Sequence, residues 1–180
     1  MSRVASSNLV VRRRPELGDA HTVGWVLQAR FAGFGRGWNT PQHVPGILRE
    51  FGYEPDVYVC DRTQRVHGVR VDIERKWRPD IVADMNRLPF RDRAFRCTFF
   101  DPPYDVPYKK AVREVARVSS ERLAVLHVRD VHVPFVRSDP WRREATILLL
   151  CGRDSVVRCL NLWRRWEPWL TDRRGPRGRA

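Results

Sequence analysis

Asp101-Pro102-Pro103-Tyr104 stands directly behind the apolar run AFRCTFF (94–100). Proline lacks an N–H, so Pro102 and Pro103 offer only carbonyls, held in a stiff extended geometry. A carboxylate beside a rigid carbonyl makes two acceptors suited to the two hydrogens of an exocyclic amine. Tyr104 supplies a ring that can stack on the ring carrying that amine. Such a site works mainly by positioning, aiming the nitrogen lone pair at a group donor. The plainer reading of the same residues is a turn, since two prolines end a strand. Three more acids close short apolar runs in the same way. Asp61 ends VYVC (57–60), Asp72 ends VRV with Ile73 behind it, and Asp84 ends DIVA with Met85 behind it. An acid at the end of a second strand is suited to ribose hydroxyls, because the strand fixes its direction. Asp84 can accept from an adenine amino group while Met85 packs on the ring. Taken singly, each acid serves equally well as a turn former or an Asx turn.

The elements that must carry these residues follow from periodicity. VYVC, VRVDI (69–73), DIVAD (80–84) and AFRCTFF are short β-rich runs, each delivering an acid to its carboxyl end. PYKKAVREVARVSSE (107–121) spaces Ala111, Val112, Val115, Ala116 and Val118 at helical intervals and predicts an amphipathic helix. RLAVLHV (122–128) reads as a buried strand. ATILLLCG (145–152) and SVVRCLNLWRR (155–165), joined through GRDS, read as a hairpin. PQHVPGILREFG (41–52) holds a short helix closed by Gly52. The sum is an α/β fold: a Rossmann-like, mostly parallel sheet with a C-terminal antiparallel hairpin, binding its ligand beyond the carboxyl ends of the strands.

At 180 residues and 42% hydrophobic content the chain suits one domain with a proper core. The basic ends, 1–20 and 171–180, read as a basic N-terminal segment and a disordered tail around a domain at 21–170. No apolar stretch reaches membrane-spanning length and the start does not read as a secretory signal, so a cytoplasmic protein is expected, without membrane association. The net charge of +13 is the footprint of a protein that meets a polyanion, DNA or RNA, although arginine usage alone can also produce it. The four cysteines, Cys60, Cys97, Cys151 and Cys159, form no C-x-x-C pair and no zinc spacing with His. Reduced thiols and no metal are expected. Trp163, Trp166 and Trp169 stand among arginines, an arrangement that stacks nucleic acid or packs the chain end on the core. His127 and His132 flank a strand end and read as structural or substrate-lining.

The stretch VRVDIERKWRPDIVADMNRLPFRDRAFRCTFFDPPY resembles the middle of a class I S-adenosylmethionine-dependent methyltransferase of the D-P-P-Y amino-methyltransferase type. The resemblance runs over about residues 56 to 166. It implies S-adenosylmethionine as cofactor, with Asp72 at its ribose, Asp84 and Met85 at its adenine, Ile73 among the cofactor-binding residues, and Asp61 at the position behind strand one. It makes Asp101, Pro102, Pro103 and Tyr104 the catalytic set and an amino nitrogen the acceptor, most plausibly on a base of DNA or RNA. If VYVC is strand one, the usual glycine loop is replaced by Arg62 to Gly68. If RFAGFGRGW (30–38) is the glycine loop, Asp61 becomes the strand-two acid and VRVD is left unexplained. The close fit of VRVD and DIVAD to the strand-two and strand-three join favours the first. Two further functions stay open: a methyltransferase-like nucleic-acid-binding module without catalysis, and methylation of a protein or small molecule.

Overall fold

The computed structural model of the chain describes residues 9–12, 26–32, 40, 44–62, 67–128, 141–151 and 156–166. Among them are the strands β1 (Leu9–Arg12), β2 (Val26–Ala32), β3 (Val57–Val59), β4 (Val69–Asp72), β5 (Ile81–Val82), β6 (Phe95–Phe100), β7 (Ser119–His127), β8 (Trp141–Cys151) and β9 (Val156–Arg165). The helices are α1 (Val44–Glu50) and α2 (Lys109–Val118), with a 3-10 turn at Arg75–Trp77. All the strands join one sheet in the order β1-β2-β8-β9-β7-β6-β3-β4-β5. Strands β5, β4, β3, β6 and β7 run parallel, and β9 is antiparallel to both β7 and β8. This is the expected Rossmann-like sheet with its C-terminal antiparallel hairpin.

Two strands at the far edge were not foreseen. β2 pairs parallel with β8, and β1 pairs antiparallel with β2. Residues 9–12 therefore belong to the sheet, although their sequence reads as part of a basic terminal segment. The place of β2 is the one the first of the two strand assignments requires. β2 lies beside β8, whereas β3 lies between β4 and β6, so VYV holds a central place in the sheet and Asp72 ends the strand next to it. Residues 33–39 and 63–66 lie outside the described residues, as do His132, Trp169 and the ends 1–8 and 171–180.

Period-2 alternation explains how both faces are covered. Phe100, Val57, Val59, Leu123 and Val125 face α2, which buries the five predicted residues Ala111, Val112, Val115, Ala116 and Val118. Phe99, Cys97, Tyr58, Ala124 and Leu126 face the other way, against Val44, Ile47 and Leu48 of α1. Gly52, at φ +72°, closes α1 by a Schellman-type turn, with Tyr53 N–H on the Leu48 carbonyl at 2.8 Å.

Several boundaries move inward for local reasons. α2 stops at Val118 because Ser119 is already extended and starts β7. Its hydroxyl donates to the Val115 carbonyl at 2.6 Å and shares a hydrogen bond with Thr98 at 2.7 Å. β5 has two residues, and at Asp80 just before it the side chain takes over as acceptor from Arg70 N–H at 2.8 Å while its own N–H donates to the Arg70 carbonyl at 3.0 Å. β3 ends before Cys60, whose φ is +59°. From β3 the chain adds β4 and β5 on one side, then crosses back to β6 on the other. That reversal opens a crevice at the carboxyl ends of β3 and β6, where Asp61 and Asp101 stand.

Candidate cofactor and substrate site

Asp101 leaves β6 with its N–H on the Val59 carbonyl at 3.1 Å, which fixes the strand end at the crevice. Its side chain is buried. Oδ2 accepts a short hydrogen bond from the Thr40 hydroxyl, and Oδ1 accepts from the Tyr104 hydroxyl at 3.3 Å. Burial pushes the carboxyl up to about 7. The Thr40 hydrogen bond and the Arg158 guanidinium pull in the opposite direction, and Asp61 adds to the rise. Tyr104 meets His127 edge to face with ring centroids 5.3 Å apart, and Tyr108 meets the same imidazole at 4.7 Å. The Arg158 guanidinium lies 5.4 Å from the Tyr104 ring centroid. Asp61, Asp101, His127 and Arg158 are thus a buried polar group at one sheet edge.

Beside it opens a cleft of about 330 Å³, within the size range of small-ligand sites. Its walls include Asp72, Ile73, Asp84, Met85 and Pro103, together with Cys60, Arg62, Glu74, Asp105 and Val106. Asp72 is buried and accepts from Glu74 N–H on Oδ1 at 2.8 Å. Asp84 is exposed and accepts on Oδ1 from the Asn86 N–H at 2.8 Å and from Asn86 Nδ2 at 3.0 Å. Both acids therefore make the Asx turns that their plainer reading foresaw, and both also line the cleft. Ile73 is 62% exposed, so the wall offers apolar surface. Cys60 Sγ sits 3.7 Å from Met85 Sδ, and burial first, then the nearby Asp72, pushes its thiol up to about 12.

The structure brings eight of the nine expected residues to one edge in two adjoining groups. Asp72, Ile73, Asp84, Met85 and Pro103 line the cleft, while Asp61 and Asp101 belong to the buried polar group and the half-buried Tyr104 packs against it. Pro102, the ninth, is buried, next in the chain to Asp101 and Pro103. A carboxyl end of a parallel strand is where each acid stands, as the topology requires.

Three participants escaped the sequence reading. Thr40 carries no signal that would single it out. His127 was noted only as structural or substrate-lining. Arg158 had a signal, because Leu160 and Leu162 share its face of β9 and are fully buried. An arginine in step with two core leucines faces inward and needs a partner.

No known protein-family profile matches this chain, and no curated protein matches it. Among solved structures, it is similar to the PH0226 protein from Pyrococcus horikoshii OT3, with 14% identity and a TM-score of 0.42 over 68% of this chain and 87% of that one. A likeness that slight carries no functional weight, which leaves the site's own geometry.

Proposed function

We propose that the chain is an S-adenosylmethionine-dependent methyltransferase acting on an exocyclic amino nitrogen of a nucleic acid base. The observation that supports this best is the adjacency of Asp101-Pro102-Pro103-Tyr104 to the cleft. Pro103 is a wall of the same cleft that Asp72, Ile73, Asp84 and Met85 line. The cleft's charge narrows the ligand. Among the described lining residues, Asp72, Glu74, Asp84 and Asp105 stand against Arg62, with Lys76 paired to Glu74 from outside the lining, although the whole chain carries +13. Four carboxylates disfavour a pyrophosphate and favour a nucleoside bearing positive charge. S-adenosylmethionine is such a nucleoside, and it supplies an electrophilic methyl group to a nitrogen held beside it.

Asp72 would accept from the ribose hydroxyls, while Ile73 and Met85 would pack on the adenine. Asp101 and the Pro102 carbonyl would accept the two amine hydrogens, and Tyr104 would pack against the base. Thr40 and Tyr104 already donate to Asp101, one to each oxygen, so the amine would use a remaining lone pair or take over one of those hydrogen bonds. If the base lies in a duplex, it must leave the stack to reach so buried a carboxylate.

Calorimetric titration with S-adenosylmethionine is the first test; no heat at millimolar ligand would remove the enzyme reading. If it binds, Asp101→Asn should abolish methyl transfer to oligonucleotides while changing cofactor affinity less than about threefold, because Asp101 lies outside the cleft walls. Equal loss of both would show that the roles are misassigned. One observation favours a second reading. Both oxygens of Asp101 are satisfied within the protein, as in a nucleic-acid-binding module that uses the fold without catalysis. That module would bind oligonucleotide but no cofactor.

A further inference from the structure

Three adjacent strands carry an arginine at one level of the sheet. In the register, Arg122 of β7 stands directly opposite Arg164 of β9, and Arg164 directly opposite Arg142 of β8. Residues opposed in this way share a face. Here it is the α1 face, since Arg122 Nη1 donates to the Gly52 carbonyl and its guanidinium lies 5.4 Å from the Tyr53 ring centroid. Strands are spaced about 4.8 Å apart, so the three Cα atoms form a row about 10 Å long. Like charges directly opposed destabilise a sheet. The described contacts offset this row with one carboxylate and two rings. Glu144 lies 3.7 Å from Arg164, Tyr53 neighbours Arg122, and Trp166 lies 3.8 Å from the Arg142 guanidinium. Glu144 is itself shared, accepting from the Tyr53 hydroxyl at 2.8 Å. Arg142 and Arg164 are exposed, and Trp166 keeps 38% of its surface in solvent.

The opposite face shows what a purely structural use looks like. There Trp141 pairs with Arg165 and Trp163 with Arg143, their guanidinium carbons 4.5 and 5.4 Å from the ring centroids. Both tryptophans are buried in the cluster under α2, and Arg165 also donates to the carbonyls of Ala116 and Ser119. In the Arg122–Arg164–Arg142 row, Arg122 is half-buried, whereas Arg164, Arg142 and the neighbouring Trp166 are exposed. The row also lies about 17 Å along β7 from His127 and the candidate site, counting five residues of strand.

We propose that this row is a docking surface for single-stranded nucleic acid, with backbone phosphates on Arg122, Arg164 and Arg142 and a base stacked on Trp166. A row of guanidinium groups at strand spacing matches a run of phosphates, whose charge relieves the opposition within the row. An exposed indole at the end of the row suits an unpaired base, whose flat face is free to stack. A single tryptophan provides too little apolar surface for an amphipathic membrane contact. The proposal rests on the nucleic-acid part of the proposed function and is independent of methyl transfer.

The test is fluorescence anisotropy with a labelled single-stranded oligonucleotide and the full chain over a range of salt. Arg142→Gln with Arg164→Gln should flatten the slope of log K against log salt by about 1.4, at about 0.7 for each lost phosphate contact. Trp166→Ala should weaken binding about tenfold and leave that slope unchanged. Arg91→Gln with Arg113→Gln removes the same charge from exposed positions elsewhere and should leave the slope in place. Unchanged binding in the first double variant, or an equal loss in the control, overturns the proposal. So does a matched duplex that binds as tightly as the single strand and is indifferent to Trp166→Ala. Row-dependent binding to phosphatidylserine vesicles in preference to the oligonucleotide would reassign the surface to membranes. Cofactor titration on the same variants is read separately, so failure of the methyltransferase reading leaves this result standing, and the reverse.

Discussion

At the scale of the residue, Asp101 is central to the proposed chemistry and carries a cost. Its carboxyl is pushed up to about 7 mainly by burial, while an unfolded aspartate titrates near 3.9. Between about pH 4 and pH 7 the unfolded chain has lost this proton and the native protein has kept it. Stability contributed by this group therefore falls as pH rises through that window, by at most about 4 kcal/mol, and is level above it. Asp101→Asn removes the titration. Denaturant unfolding should show the variant gaining on the native protein from pH 4 to pH 7; parallel stability curves would mean that the carboxylate is better solvated than its burial indicates. An amine-binding role needs the ionised form, so methyl transfer should rise with pH through about 7. Thr40→Val removes a hydrogen bond that holds the carboxyl down, and should move that rise to higher pH. The motif was legible because a strand-ending Asp-Pro-Pro-Tyr is rare and has a chemical meaning. Its closure by Thr40 was not, since nothing in a lone threonine 61 positions away marks it as a partner.

At the scale of the element, the cleft is held by a latch between α2 and the segment that follows Met85. Arg117 Nη1 donates to the Phe90 carbonyl at 2.9 Å and to Asp92 at 2.7 Å, and Nη2 donates to Glu114 at 2.7 Å and the Leu88 carbonyl at 3.3 Å. Glu114 in turn accepts from the Leu88 N–H at 2.9 Å, and its hydrogen bond from Arg117 holds its carboxyl below the usual range. Arg117→Ala should cost about 2 kcal/mol and speed hydrogen exchange at residues 86–92. A stability loss without faster exchange there would place the effect inside α2 instead. Gly68 serves a different element from the one its sequence suggests. At φ +137° it enters β4 with an added Cβ only 2.9 Å from the carbonyl oxygens of Pro55 and Asp56. It lets two backbone segments pass closely before β3 and β4 and does not approach the cleft. Gly68→Ala should lower stability by more than about 1 kcal/mol with cofactor affinity retained; lost affinity in a stable variant would return this glycine to the site. The strands were legible because β3, β6 and β7 are buried on both faces and read as apolar runs. β1 and β2 were hidden by their arginines and by lying outside the stretch that carries the motifs.

At the scale of the whole molecule, charge and site point in opposite directions. The chain is strongly basic, yet four carboxylates and one guanidinium line the cleft. In the proposed reaction a polyanion would therefore be drawn to the outer surface and opposed at the cleft, which would separate the two ligands by sign. The separation gives a ligand ranking. S-adenosylmethionine should raise the thermal unfolding midpoint, and NAD and ATP at the same concentration should not, because their phosphates meet the carboxylates of Asp72, Glu74, Asp84 and Asp105. At a hundredfold excess over the dissociation constant, binding to the native state is worth about 2.7 kcal/mol. For a chain of this length that is a rise of about 5 to 10 °C. Asp72→Ala should abolish the rise, while Arg142→Gln with Arg164→Gln should keep it, because the arginine row lies at the other end of the sheet. A rise with NAD or ATP that survives Asp72→Ala would place their binding on the basic surface. A rise with NAD or ATP that Asp72→Ala removes would mean that the cleft takes phosphorylated nucleotides, and the acidic lining would then have to be answered by a bound cation.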